Sequence, residues 1–284
     1  MEWSVKTADG RTLAVEDAGD RYGPPVLVHV GSPNSRHLYG RTVTDATARG
    51  LRLISYDRPG YGESTPQPGR TMADCAADVR AICAALGIER LVTWGLSGGG
   101  PNVLACAALL PDLVAAAASL CSPAPYDAEG LDWLAGMGPG AEEDVRVMFG
   151  DRDLARAAFT EEREQLLAAS PAELAQQRKK TSPDADLAFL TDEATCVQQA
   201  LAAGIEGFYS DNWAQLIPWG FDVAEISVPV LLLHGRRDES VPAAHGQWLA
   251  SRIPGVEARF YDNEGHELRE NHIGEVHAWL AERL

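Results

Sequence analysis

Basic residues are scarce in this 284-residue chain: 24 lysines and arginines stand against 41 aspartates and glutamates, a net charge of −17. Polyanions such as nucleic acid, and anionic membrane surfaces, are therefore poor partners. Cysteine is also sparse. Cys75, Cys83, Cys106, Cys121 and Cys196 form no C-x-x-C pair, and an odd number supplies no disulfide framework. Free buried thiols in a reducing cytoplasm are the expectation. No histidine and cysteine cluster has zinc spacing, so neither metal nor cofactor is expected. No apolar run approaches the length that spans a bilayer. The first residues, Met1-Glu2-Trp3-Ser4-Val5-Lys6, lack the basic-then-apolar pattern of a secretory leader. Internal repeats and low-complexity tracts are absent. What remains is an ordinary globular composition, 45% hydrophobic and 23% charged. It suffices for one large domain with an insertion, or for two domains.

Strand and helix patterns alternate along the first part of the chain. Trp3–Thr7 and Thr12–Glu16 flank Asp9-Gly10, a hairpin signal. Val26–Val30, Arg52–Ser55, Leu91–Trp94 and Ala115–Leu120 read as strands, separated by helical stretches near Leu38–Arg49, Met72–Leu86 and Asn102–Leu110. That alternation predicts a mainly parallel α/β sheet with right-handed crossovers. It stops after Cys121-Ser122-Pro123-Ala124-Pro125 and resumes at Val228. Between them lie mostly helical patterns, among them Leu154–Ala169 and Pro171–Lys179, broken at Gly138-Pro139-Gly140 and Ser182-Pro183. Residues 122–222 are thus expected to form a helical cap on a core made of 1–121 and 223–284. Ser122 to Asp222 hold 7 basic and 19 acidic residues, a balance of −12 against −5 for the remainder. A solvated, solubilising surface is the simplest account of those acids.

The most informative residues are Gly95-Leu96-Ser97-Gly98-Gly99. They follow the apolar run Leu91-Val92-Thr93-Trp94 and precede a helical run, which is the strand–turn–helix context of a nucleophile elbow. Such a turn is strained and crowded, which favours glycine at 95 and 99. Ser97 is the expected nucleophile, and the Gly98 N–H is placed to meet a developing oxyanion. A serine hydroxyl needs a base, and the base needs an acid to orient it. The buried run Val228-Pro229-Val230-Leu231-Leu232-Leu233-His234-Gly235 is followed at once by Asp238, just past a strand's carboxyl end. Asp238 is the expected acid, with Glu239 as the spare candidate. His266, in the loop Asp262-Asn263-Glu264-Gly265-His266-Glu267-Leu268, is the expected base, reached after the strand Ala258–Tyr261. The nearest rival, His272, lies at the start of the last helix. His277 is expected on that helix's surface or at an interface, and His245 is expected to face outward. His29 and His234 read as packed strand-end residues, and His37 could face the pocket.

With these motifs the chain resembles the α/β-hydrolase superfamily over nearly its whole length. Asp57-Arg58-Pro59-Gly60-Tyr61-Gly62-Glu63-Ser64 resembles the D-x-P-G-x-G-x-S loop common there. Gly31-Ser32-Pro33-Asn34-Ser35-Arg36 resembles the superfamily's H-G-x-P-G-S oxyanion loop, with Val30 in place of histidine and Asn34 in place of glycine. The resemblance implies the α/β-hydrolase fold, a scaffolding role for Asp57, and the Ser32 N–H as the second oxyanion donor beside Gly98.

Substrate is less legible. Tyr209, Trp213, Trp219 and Phe221 cluster near the cap's end, and the first three are candidate walls of a substrate pocket or, equally, core residues. Ester, thioester, lactone and amide hydrolysis share acyl-transfer chemistry. Carboxylic esters of small, moderately apolar molecules lead. Proline-iminopeptidase-like and C–C bond hydrolases stand as alternatives, and a ligand-binding protein on the same fold is a third possibility. The expected partner is a small-molecule substrate, with no nucleic acid and no membrane. The oligomeric state is not legible.

Overall fold

The computed structural model describes residues 1–181 and 185–284. Eight strands form one sheet: β1 (Glu2–Lys6), β2 (Thr12–Gly19), β3 (Pro25–His29), β4 (Arg52–Tyr56), β5 (Leu91–Leu96), β6 (Val114–Leu120), β7 (Val230–Gly235) and β8 (Glu257–Tyr261). Their spatial order is β1-β2-β4-β3-β5-β6-β7-β8. β1 and β2 pair antiparallel, as β2 does with β4, and every later pair is parallel. Asp9-Gly10 does turn the first hairpin, with Gly10 at φ +87°.

The helices α1 (Gly40–Ala48), α2 (Cys75–Leu86) and α3 (Gly100–Leu109) follow β3, β4 and β5 in the chain. A parallel sheet must be covered on both faces, and its central strands are accordingly buried throughout. Alternate side chains serve alternate faces. Val26, Val28, Leu53, Val92, Trp94, Ala118, Leu231 and Leu233 pack on one side with Ala46 of α1 and with Ile273, Val276, Trp279 and Leu280 of the last helix. On the other, Leu27, Ile54, Leu91 and Val114 meet Val79, Ile82 and Cys83 of α2 and Ala105 and Cys106 of α3. All five cysteines are free and buried. No helix of the described residues is long and apolar enough to cross a membrane.

After β6 the alternation stops and helices take over: α4 (Ala141–Gly150), α5 (Arg152–Leu167), α6 (Pro171–Thr181), α7 (Leu187–Leu201) and α8 (Glu206–Leu216). Local capping sets two of their starts. Asp151 accepts from the Asp153 and Leu154 N–H groups at 2.9 and 3.1 Å, and Asp186 from Ala188 and Phe189 at 2.7 and 3.2 Å. The expected break at Ser182-Pro183 lies outside the described residues. This insertion sits on the loops at the strands' carboxyl ends by backbone contact. Gly62 N–H donates to Ala200 C=O at 3.0 Å, Ser35 to Cys196 at 3.2 Å and Gly207 to Gly60 at 3.1 Å. Gly60, at φ +88°, has no room for a side chain, since a Cβ there would lie 2.6 Å from Gly207 N. The sheet then closes with α9 (Ala243–Arg252) and α10 (Arg269–Ala281).

Candidate active site

β5 ends at Leu96, and a single 3₁₀ turn, Ser97–Gly99, leads into α3. Ser97 takes φ +53°, a left-handed conformation that a residue with a side chain adopts at a cost. The turn is tolerated because its neighbours are glycines. A Cβ at Gly99 would lie 2.0 Å from His29 C=O, and one at Gly95 would lie 2.7 Å from the same oxygen. Asn102, in the first turn of α3, donates its side-chain N–H to Gly98 C=O at 3.0 Å and braces the elbow.

Asp238 stands just past β7, buried. Its Oδ1 accepts from the Ser240 and Val241 N–H groups at 2.9 and 2.8 Å, and its Oδ2 from His266 Nδ1 at 2.8 Å. Burial works against the Asp238 carboxylate, but the hydrogen bond and charge of His266 outweigh it and hold the pKa below the ordinary value. For His266 burial pulls the other way from Asp238 and Glu267. The two acids prevail, and the imidazole pKa lies above its usual value. Ser97 and His266 line one cavity of about 590 Å³, which also touches Ser32 of the loop after β3. Gly98 and Ser32 are neighbours there: a Cβ built on Gly98 would lie 3.5 Å from the Ser32 backbone nitrogen.

The same cavity is walled by Leu166, Leu174, Leu190 and Val197 from α5, α6 and α7, and by Glu193, Glu267, Arg178 and Arg269. A second cavity of about 290 Å³ lies inside the insertion, lined by Met148, Phe159, Phe208 and Leu216 among others. Glu162 borders both cavities. Gln215, which lines the second, also approaches the elbow, its Nε2 3.4 Å from where a Gly98 Cβ would stand.

Several sequence expectations need correction. Trp219, Trp213 and Tyr209 line neither cavity. Trp219 is 2% exposed and packs with Met72, Leu104 and Val223, stacked on Phe221 at 5.6 Å. Trp219→Ala should therefore cost about 3–5 kcal/mol of stability, by cavity formation, while leaving substrate preference unchanged. Denaturant titration beside an ester chain-length profile checks both halves, and an altered profile in a protein of native stability would contradict the core assignment. Trp213 and Tyr209 pack behind the second cavity with Met148 and Ala155, beneath the guanidinium groups of Arg152 at 4.6 Å and Arg156 at 4.9 Å.

His245 does not face outward. It is fully buried, accepting from Ala124 N–H at 3.1 Å on Nδ1 and donating to Trp133 C=O at 2.9 Å from Nε2. Burial drives its pKa down to about 4. Gly246 beside it lets α9 come down onto His234, whose Nδ1 a Cβ would meet at 2.5 Å. His277 is equally buried and donates from Nδ1 to Asp45 at 2.7 Å, so it ties α10 to α1 and is no surface residue. The other histidines keep structural company. His234 bonds Val241 C=O at 2.8 Å, and His272 bonds Glu275 at 2.9 Å. His29 is buried and its pKa falls to about 3 through burial and then the charge of Arg58. His37 lies 3.9 Å from Asp192 and is not on the wall of the Ser97 cavity. Asp57 accepts from Arg36 N–H at 2.6 Å and from Glu63 N–H at 3.1 Å, a turn-building role.

Other residues near the site carried no sequence signal. Cys121 directly follows β6 at φ +46°, and its sulfur shares a 4.8 Å neighbourhood with the donor atoms of Asp238 and His266. No spacing rule could find this three-donor set, because the fold assembles it from three separate loops. Burial and the nearby Asp238 charge push the Cys121 thiol pKa well up, so it is a protonated neighbour of the pair. Tyr61, buried, holds Ser32 Oγ at 2.6 Å.

An open, mainly parallel sheet with a strained serine turn after a central strand, and an acid–histidine pair on the loops after β7 and β8, defines a class. The chain belongs to the alpha/beta hydrolase fold family, whose model matches residues 24–272. It is 28% identical over 282 residues to a non-heme haloperoxidase of Rhodococcus erythropolis, covering 93% of this chain and 92% of that one. It is 34% identical over 122 residues to a bifunctional esterase/perhydrolase of Acinetobacter calcoaceticus, a match spanning 43% of this chain and 44% of the other. Among solved structures, an alpha/beta hydrolase fold protein from Nakamurella multipartita superposes with a TM-score of 0.70 at 27% identity, covering 100% and 99% of the two chains.

Proposed function

We propose that this hydrolase cleaves carboxylic esters of small, moderately apolar substrates through an acyl-enzyme on Ser97. The observation that carries the reading is the 2.8 Å bond to the buried Asp238 from His266, which lines the same cavity as the strained Ser97. Ser97 Oγ attacks the ester carbonyl while His266 Nε2 takes its proton. The N–H groups of Gly98 and Ser32 receive the oxyanion, and the imidazolium then protonates the departing alcohol. Water, deprotonated by the same histidine, attacks the acyl-enzyme and releases the acid with Ser97 restored. The alternative of a binding protein on this fold has no use for the aligned pair beside the elbow. The likeness to a relative named as an esterase/perhydrolase supports the choice of ester.

The apolar walls of the main cavity, with the Met148, Phe159, Phe208 and Leu216 chamber beside it, support an apolar acyl or alcohol group. Helices α4 to α8 act as a cap over the site. Glu162, Glu193 and Glu267 outnumber Arg178 and Arg269 on the cavity wall, which disfavours a strongly anionic substrate. A fluorophosphonate probe should label wild type at Ser97 in a 1:1 ratio, and p-nitrophenyl esters should turn over faster than aminoacyl amides. An unlabelled protein, or one that cleaves only the amides, overturns the ester reading.

The pH profile tests the pair independently. Only the neutral imidazole can accept the Ser97 proton, and the acids beside it raise the His266 pKa. Activity should therefore rise with pH through an apparent pKa above the ordinary histidine value of about 6.5. The acidic limb of kcat/KM against pH reads it, and a limb below that value would contradict the pairing.

A further inference from the structure

One buried cation in the structure is directed at the oxyanion loop. Arg58, 1% exposed, lies beneath the segment that carries Ser32. Its Nη1 donates to Val30 C=O at 2.5 Å and its Nη2 to Gly31 C=O at 2.8 Å. Its Nε donates to Asp211 at 3.0 Å, and Nη2 also reaches that carboxylate. Asp211, itself 1% exposed, belongs to α8 of the helical insertion and pairs with a second buried guanidinium, Arg70. Arg58 lies over the Tyr61 ring at 5.3 Å, and Tyr61 holds the Ser32 hydroxyl.

The Gly31 carbonyl and the Ser32 N–H are two ends of one planar peptide. That peptide is trans, so its C=O and N–H point in opposite directions. A guanidinium that fixes the oxygen on the buried side therefore fixes the N–H on the other side, where Gly98 and the Ser97 cavity lie. Donation from a charged group to the carbonyl also polarises the amide and strengthens its N–H as a donor. We infer that Arg58 is a positioning residue for the oxyanion hole. Asp211 holds that arginine in place, so that a helix of the insertion is coupled to transition-state stabilisation through one buried carboxylate. This rests on the reading of Ser32 as an oxyanion donor.

Asp211 serves two arginines, which makes a controlled comparison available. Arg58→Gln and Arg70→Gln each leave Asp211 with one guanidinium and a balanced charge. Only Arg58 touches the loop. Removal of an oxyanion donor outright costs about 10²–10³-fold in kcat, and misalignment costs part of that. Arg58→Gln should lower kcat about 10–100-fold with KM within about twofold, whereas Arg70→Gln should keep kcat within about threefold. An oxyester and its thionoester separate positioning from general damage, because sulfur is the weaker hydrogen-bond acceptor. The oxyester should lose more than the thionoester in Arg58→Gln, and the ratio should be unchanged in Arg70→Gln.

Equal losses in the two variants, or equal losses on the two esters, would overturn the inference. Should Arg58→Gln not fold, Arg58→Lys keeps the charge but replaces the two-carbonyl fork by a single ammonium, and the same ester ratio decides. Failure of the wild type to take the fluorophosphonate would instead remove the serine-hydrolase reading beneath it.

Discussion

Ser97→Ala yields a folded protein whose best ester is hydrolysed about 10⁴-fold more slowly, or worse. The substitution deletes one half-buried hydroxyl at a turn whose shape is set by Gly95, Gly99 and the Asn102 brace. Alanine inherits the φ of +53° at the same conformational cost as serine, so the melting temperature should move little. What goes is the covalent route. The residue of activity comes from the oxyanion donors and from substrate binding, which remain. Purified variant and wild type, compared by kcat and by fluorophosphonate labelling, give the answer. Near-normal turnover in the variant would mean that the turn after β5 is architecture only.

Asp238→Asn should cost about 10⁴-fold in kcat for a different reason. Oδ1 already accepts the Ser240 and Val241 N–H groups, so the asparagine carbonyl will occupy that position and turn its NH₂ toward His266. The imidazole must then accept at Nδ1 and carry its proton on Nε2, the nitrogen that has to receive the Ser97 proton. The tautomer is wrong, although the backbone bonds that shape the loop survive. The acidic limb of the pH profile should fall at the same time, because the carboxylate that raises the His266 pKa is gone. His266→Ala combined with Ser97→Ala should be no slower than Ser97→Ala alone, since the residues act as one unit. If His272→Ala proved the more damaging change, the base would be misassigned, against its placement beside Glu275 and Glu264.

The legible parts of this protein were those encoded by short stretches. Asp9-Gly10 turned the hairpin where expected, and the apolar run from Val228 to Gly235 did become a buried strand followed by Asp238. Glycines around Ser97 marked the elbow because crowding there excludes every other residue. Aromatics behaved otherwise. Trp219 and Trp213 look alike in the sequence, yet one fills the core under α3 and the other lies beneath Arg152 in the insertion. An aromatic ring serves a pocket wall and a core equally well, and nothing local distinguishes the two.

The sequence by itself determined the α/β alternation and the break after Cys121, and it put forward Ser97, Asp238 and His266 as candidates in chain order. Each depends on strand period, turn chemistry or capping, which act over a few residues. Only the tertiary structure decided which side chains share a cavity, that His245 and His277 are buried, and that Cys121 stands beside the acid–histidine pair. It alone brought Asp211 from the insertion onto Arg58 and Arg58 onto the Gly31 carbonyl. Such contacts join residues far apart in the chain, and their partners are chosen by how helices and loops pack over the sheet, which no local pattern of residues records.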